Sequence, residues 1–236
     1  MQRKSENPFQ AHPDWQYKAS ISNYLQFWEI ANYYVRAADA LVQYTIEDSS
    51  LLDVYVSPLV FLYRHALELF SKDLLWQSHY LAFGKKGFLR DKCFKTHDLL
   101  KLWQQLKKNC QVVLGTALPL SPHEVEMLEQ LFAQIQKQDP GSDAFRFPFD
   151  VKGNRSHASL SRVNVRSLYE SVHQAVDLLG NLKEVIADNY ERASDQGCGH
   201  SPHQKDGGAL PRRRYRATIL TAKKILPSFQ THHNLD

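Results

Sequence analysis

Residues 58–77 read PLVFLYRHALELFSKDLLWQ, the densest apolar run in the chain. Laid on a helix at about 100° per residue, Leu59, Leu62, Tyr63, Ala66, Leu67, Leu69, Phe70, Leu74 and Trp76 cover most of the circumference. Only one arc is polar, and it holds Arg64, His65, Glu68, Ser71 and Lys72. A helix that is apolar nearly all round must be covered on most sides. The stretch therefore predicts the central helix of an all-α bundle. Val60, Phe61 and Leu75 fall inside or beside the polar arc, one turn before and one turn after the charged group. Large apolar residues at both ends make the arc a short polar window in a buried helix rather than a solvent face. Glu68 is expected to lie near an Arg, with a loop covering it.

The flanking sequence supplies the helices that pack on this one. Ile21, Leu25, Trp28, Ala31, Val35, Ala38 and Val42 recur at spacings of three and four, predicting a helix from about Ser20 to Thr45. A further helical stretch opens near Leu51 and meets Pro58, which either begins the central helix or lies inside a longer one. Thr96 has the chemistry to cap a helix whose stripe is Leu99, Leu102, Trp103 and Leu106. Ser121, Pro122 and Glu124 form a capping box with proline at the first helical position. Val125, Leu128, Phe132 and Ile135 follow on one face. Asn164 can cap a final long helix carrying Leu168, Val172, Ala175, Leu179, Leu182 and Ile186. The fold class expected is an antiparallel bundle of about five helices.

Between the last two helices, Asp139 to Ser161 lose all periodicity. DPGSDAFRFPFDVKGNRSHASLS holds two prolines, two glycines and three phenylalanines, which predicts an ordered loop with a short hairpin turning at Gly153-Asn154. A loop of about 20 residues exceeds the usual connection in a compact domain, and such loops commonly carry function.

Composition bounds the rest. Residues 1–18 read as a flexible polar arm, 19–193 as the helical domain, and 194–236 as a basic, disordered tail. The net charge of +4 belongs to that tail, because residues 1–193 balance at 22 basic against 22 acidic side chains. A neutral body argues against a whole-domain electrostatic clamp on DNA. The N-terminus lacks the apolar core of a signal peptide and no run is long enough to cross a bilayer, so a cytoplasmic protein without a membrane partner is expected. Cys93, Cys110 and Cys198 have no CxxC spacing. Cys198, His200 and His203 lack a fourth ligand, and neither a metal nor a cofactor is predicted.

Three motifs occur in order: Arg64-His65-Ala66-Leu67-Glu68 with Lys72, then His97-Asp98-Leu99, then Phe145-Arg146-Phe147-Pro148. Together they resemble the HEPN superfamily of small helical bundles, over roughly residues 20–190. The resemblance implies a bundle that is often dimeric and binds RNA or a nucleotide. It also implies a place in prokaryotic defence or toxin-antitoxin systems, with a cognate antitoxin or operon partner. Arg146, Arg64, His65, Glu68 and Lys72 then become the candidate ligand-binding residues. On the residues alone, Arg146 is either a phosphate-binding group or a structural fork holding carbonyls and a carboxylate. Arg64 and Glu68, four apart, either pair to seal the bundle or face a cleft.

Catalytic members of the superfamily are metal-independent endoribonucleases with an Arg followed by a His. Two pairs here have that form, Arg90 with His97 and Arg166 with His173. From 13 Arg and 11 His, about two such matches arise by chance. Arg166 and His173 share a helix face about 10.5 Å apart along the axis, and they are the candidate catalytic pair, with a solvated Arg and His as the alternative. The functions in play are therefore an RNA- or nucleotide-binding module, a metal-independent endoribonuclease, and a non-catalytic dimerisation or docking module.

Overall fold

The computed structural model describes residues 26–83, 95–115, 118–150, 152–156 and 160–195. Five helices form in them: α1 (Phe27–Glu47), α2 (Leu52–Phe83), α3 (Leu99–Leu114), α4 (Pro122–Gln138) and α5 (Val165–Asp195), with a 3-10 turn at Ser49–Leu51. Among the described residues there is no strand, and the protein is all-α with its long loop ahead of the last helix. The arm at 1–18, Arg90, Cys93, Cys198, His200, His203 and the tail from 196 lie outside the described residues. So does the expected beginning of α1, Ser20 to Leu25.

Local chemistry explains the boundaries. The Gln26 amide donates to Glu29 Oε2 at 2.7 Å to open α1. The Asp48 carboxylate accepts from the Ser50 amide and hydroxyl and turns the chain after it. Pro58 lies inside α2, which begins at Leu52, so the longer helix is the form taken. The capping box of α4 is present, with Ser121 N donating to Glu124 Oε2 at 2.7 Å and Glu124 N to Ser121 Oγ at 3.3 Å.

At α3 the cap differs from expectation. Asp98, not Thr96, is the N-cap: its Oδ1 accepts from Lys101 N at 3.0 Å, while Thr96 Oγ1 accepts from Asp98 N. The two side chains serve successive orphan amides, and the carboxylate takes the one inside the helix. Gly115, at φ 63°, ends α3 in the left-handed conformation that glycine adopts without strain.

The side-chain pairs set helix directions. Tyr44 meets Tyr55, Tyr63 meets Asp39, and Trp28 meets Phe70. Numbers falling along α1 as they rise along α2 define an antiparallel hairpin. Gln136 with Leu99 and Glu129 with Trp103 do the same for α3 and α4. Along α2 and α5, by contrast, Tyr63 pairs with His173 and Asp73 with Lys183, so these two helices run parallel. Glu68 with His97 and Ser78 with Asn109 likewise make α2 parallel to α3. α2 is thus the central helix, packed against α1, α3 and α5. Its Leu59, Tyr63, Ala66, Leu67, Phe70 and Leu74 are fully buried, whereas Trp76, read as part of the apolar surface, is exposed near the end of the covered span. No described helix is long and apolar enough to cross a membrane.

Candidate functional site

The polar window of α2 is buried: Arg64 is 0% exposed, Glu68 1% and Lys72 7%. Arg64 Nη1 donates to Glu68 Oε2 at 2.9 Å and Nη2 to the His97 carbonyl at 2.7 Å. Its Nε donates to the Asp139 carbonyl at 3.2 Å. Asp139 Oδ2 lies 3.1 Å from the same Nε without accepting a hydrogen bond, because that N–H is aimed at the carbonyl. Lys72 Nζ and His97 Nδ1 both meet Glu68 Oε1, at 2.7 and 2.9 Å. Burial pushes the Glu68 carboxyl up, and the bonds from Lys72 and Arg64 reverse this and hold it below its ordinary value. The planar guanidinium fork thereby ties α2 to the start of α3 and the end of α4.

Glu68 does lie beside an Arg, but the first residue of the loop, Asp139, bonds that Arg rather than Glu68. Asp139 Oδ1 accepts from the amides of Asp143 and Ala144 at 2.8 and 3.0 Å, pinning the loop's first turn over Arg64. Arg146 does not enter the window. The five ligand-binding candidates therefore separate, with Arg64, Glu68 and Lys72 paired inside and His65 and Arg146 on a different face.

That face is aromatic and cationic. The Arg146 guanidinium carbon lies 5.4 Å from the ring centres of both Phe61 and Phe147. His65 stacks on Phe61 at 5.6 Å, and Tyr34 of α1 meets His65 edge-on at 4.6 Å. Burial lowers the His65 pKa below its usual value; Glu68 pulls it up, and Arg64, Lys72 and Arg146 push it further down. Beyond Phe147 the expected hairpin is reduced to one bridge, Phe149 with Arg155, closed by Asp150 Oδ1 accepting from the amides of Lys152 and Asn154. Gly153 takes the left-handed position there at φ 83°. Arg155 lies 5.9 Å from the Phe149 ring. Of the three loop phenylalanines only Phe145 is half-buried; Phe147 and Phe149 are 56% and 51% exposed. No carboxylate among the described residues pairs with Arg146 or Arg155.

The candidate catalytic pair is placed differently from a solvated one. His173 Nε2 is 2.9 Å from Asp39 Oδ1, which also accepts from the Tyr63 hydroxyl at 2.7 Å. Burial and the Asp39 charge push the Tyr63 phenol far up, so it stays a donor. A carboxylate can only accept, so His173 Nε2 carries a proton toward Asp39. Tyr169 packs on the imidazole at 4.3 Å between centres. Arg166, two turns earlier, lines a cavity at the start of α5. His97 of the other pair is engaged with Glu68.

Sequence reasoning missed Asp39 and Asp139. Asp39 sits at positions i+4 from Val35 and i−3 from Val42, on the predicted apolar stripe, where a carboxylate needs a buried partner. Asp139 carried no such signal, being the first residue past a helix. Among the described residues no group of three His, Cys, Asp or Glu could hold a metal. Burial pushes the Cys110 thiol up to about 12, which leaves it an inert part of the core. No protein-family model matches the chain, and neither a curated protein nor a solved structure matches it.

Proposed function

We propose that the chain is a HEPN-like helical module that binds single-stranded RNA or a nucleotide on the face shared by α2 and the long loop. One observation carries this reading: Arg146, without a carboxylate partner among the described residues, is set between Phe61 and Phe147. Exposed rings accept a base by stacking, worth about 1–3 kcal/mol per base, and a guanidinium beside them meets the phosphate. Lys152 and Arg155 extend the positive charge along the hairpin. Arg64, Glu68 and Lys72 serve this face indirectly, by pinning the loop through Asp139. The motifs shared with the superfamily supply the setting, a dimeric defence or toxin-antitoxin component with a cognate partner.

The test is fluorescence anisotropy of the full chain with a labelled single-stranded RNA, between about 50 and 200 mM salt. Affinity is expected to fall with salt. Arg146→Ala should weaken binding by about 1–3 kcal/mol and lower the salt slope by about one. Phe147→Ala should weaken it without changing the slope. No salt-sensitive binding of RNA or nucleotide removes the reading.

His173 favours a second reading, a metal-independent endoribonuclease. In it His173, its ring held by Asp39, takes the proton of a 2'-hydroxyl, with Arg166 as the charge for the phosphate. This reading expects RNA cleavage in EDTA that disappears in His173→Ala and in Arg166→Ala. Cleavage that survives both changes excludes the pair.

A further inference from the structure

The long loop carries a second ring-guanidinium unit beside the first. In the first, the Arg146 guanidinium lies against Phe61 and Phe147. In the second, the Arg155 guanidinium carbon is 5.9 Å from the centre of the Phe149 ring. Only Pro148 separates Phe147 from Phe149, so their Cα atoms are at most about 7 Å apart. Both rings are more than half exposed, so neither is spent on the core. The backbone holds each unit in place. The amides of Arg146 and Phe147 both donate to the Asp143 carbonyl, at 2.9 and 3.0 Å. The Ser156 amide donates to the Pro148 carbonyl at 3.1 Å, next to the bridge between Phe149 and Arg155. Asp150, the one carboxylate in residues 146–155, is turned into the hairpin by the amides of Lys152 and Asn154 and by Asn154 Nδ2. A surface set in this way avoids the ordering cost that a loose loop meets on binding.

We infer that this face takes two consecutive nucleotides of a single strand, one base on each ring unit, and so selects an oligonucleotide over a mononucleotide. The inference rests on the reading of the Arg146 face proposed above and decides between RNA and a free nucleotide, which that reading leaves open. A mononucleotide needs one ring for its base and one guanidinium for its phosphate, and the Arg146 unit alone supplies both. A second unit two residues along the loop has a use only where a second base follows on the same sugar-phosphate chain. Every base has a π-face, so the pair of rings sets the length of strand held rather than its sequence. Bases in a duplex are stacked on both faces and reach neither ring.

The probe is a fluorescein-labelled oligouridylate bound to the full chain at about 50 mM salt and read by anisotropy. Phe147→Ala and Phe149→Ala should each weaken it about tenfold, the mid-range contribution of one base stack. Neither change removes a charge, so a loss reports the ring and not the phosphate contact. Both side chains are exposed, and helical circular dichroism checks that the variants fold. Competition with unlabelled ligands supplies the second arm: the 5'-phosphorylated dinucleotide pUpU should displace the probe at a concentration at least about tenfold below that of uridine monophosphate, and Phe149→Ala should remove most of that advantage. Phe149→Ala that binds the probe like wild type, or pUpU that competes no better than the monophosphate, overturns the two-nucleotide site. The Arg146 reading survives that result if Arg146→Ala and Phe147→Ala still weaken binding. A chain that does not bind the oligouridylate at all removes both.

Discussion

Arg64 and Arg146 show how one residue type takes two roles. Arg64 is surrounded by acceptors, and all three of its nitrogens are used; Arg146 meets rings. The same logic makes Glu68 the most costly side chain in the window to lose, because its removal takes a buried carboxylate away from both Lys72 and the Arg64 fork. Glu68→Gln is expected to cost about 3–5 kcal/mol in urea unfolding. Its pH dependence follows from a carboxyl held below its ordinary value of 4.5. The unfolded chain binds the proton first as pH falls, so the Glu68 contribution is complete above about 4.5 and is lost below it. The gap between wild type and Glu68→Gln should therefore be flat near neutrality and close in acid. A gap that stayed constant from about pH 7 down to about pH 3 would contradict the charged pairing.

Between elements, buried ion pairs set which helix faces which. Asp73 of α2 meets Lys183 of α5 at 2.9 Å, and the ammonium also lies 4.2 Å above the Trp28 ring of α1. Burial pulls the Lys183 pKa below its usual value despite the pull of Asp73 in the other direction. Lys183→Met leaves Asp73 buried with Gln77 as its remaining donor and is expected to cost about 3–5 kcal/mol. The double variant Asp73→Leu with Lys183→Met removes both charges and should recover most of that loss. If the double variant unfolds as easily as the single one in urea, the pair contributes net stability and not only the choice of partner. Asp39 makes the matching tie ten positions earlier on both helices, so the two pairs together hold α2 and α5 parallel and in one register.

For the molecule as a whole, the buried stripes of α1, α3, α4 and α5, and the capping box of α4, were legible in the sequence because they are local. Side chains three and four apart share a face, and a cap acts on amides within one turn. Directions were legible only where connections are short: the α1–α2 and α3–α4 hairpins follow from their turns, whereas α2 lying parallel to α3 and α5 follows from long connections that could have gone elsewhere. The same limit applies to the site. The sequence marked Arg64, Glu68 and Lys72 as a polar window in an apolar helix, and it marked the Arg146 loop as unusual. It did not separate them onto two faces. By itself, then, the sequence determined that this is an all-helical bundle around residues 58–77 with a buried polar arc. Only the tertiary structure decided that Arg64 answers to Asp139, 75 residues away, that His173 answers to Asp39, 134 residues away, and that Arg146 is left to the rings. Periodicity records which side of a helix is buried; what it is buried against is settled by packing, where a charge excluded from water takes whichever partner the assembled helices bring within reach.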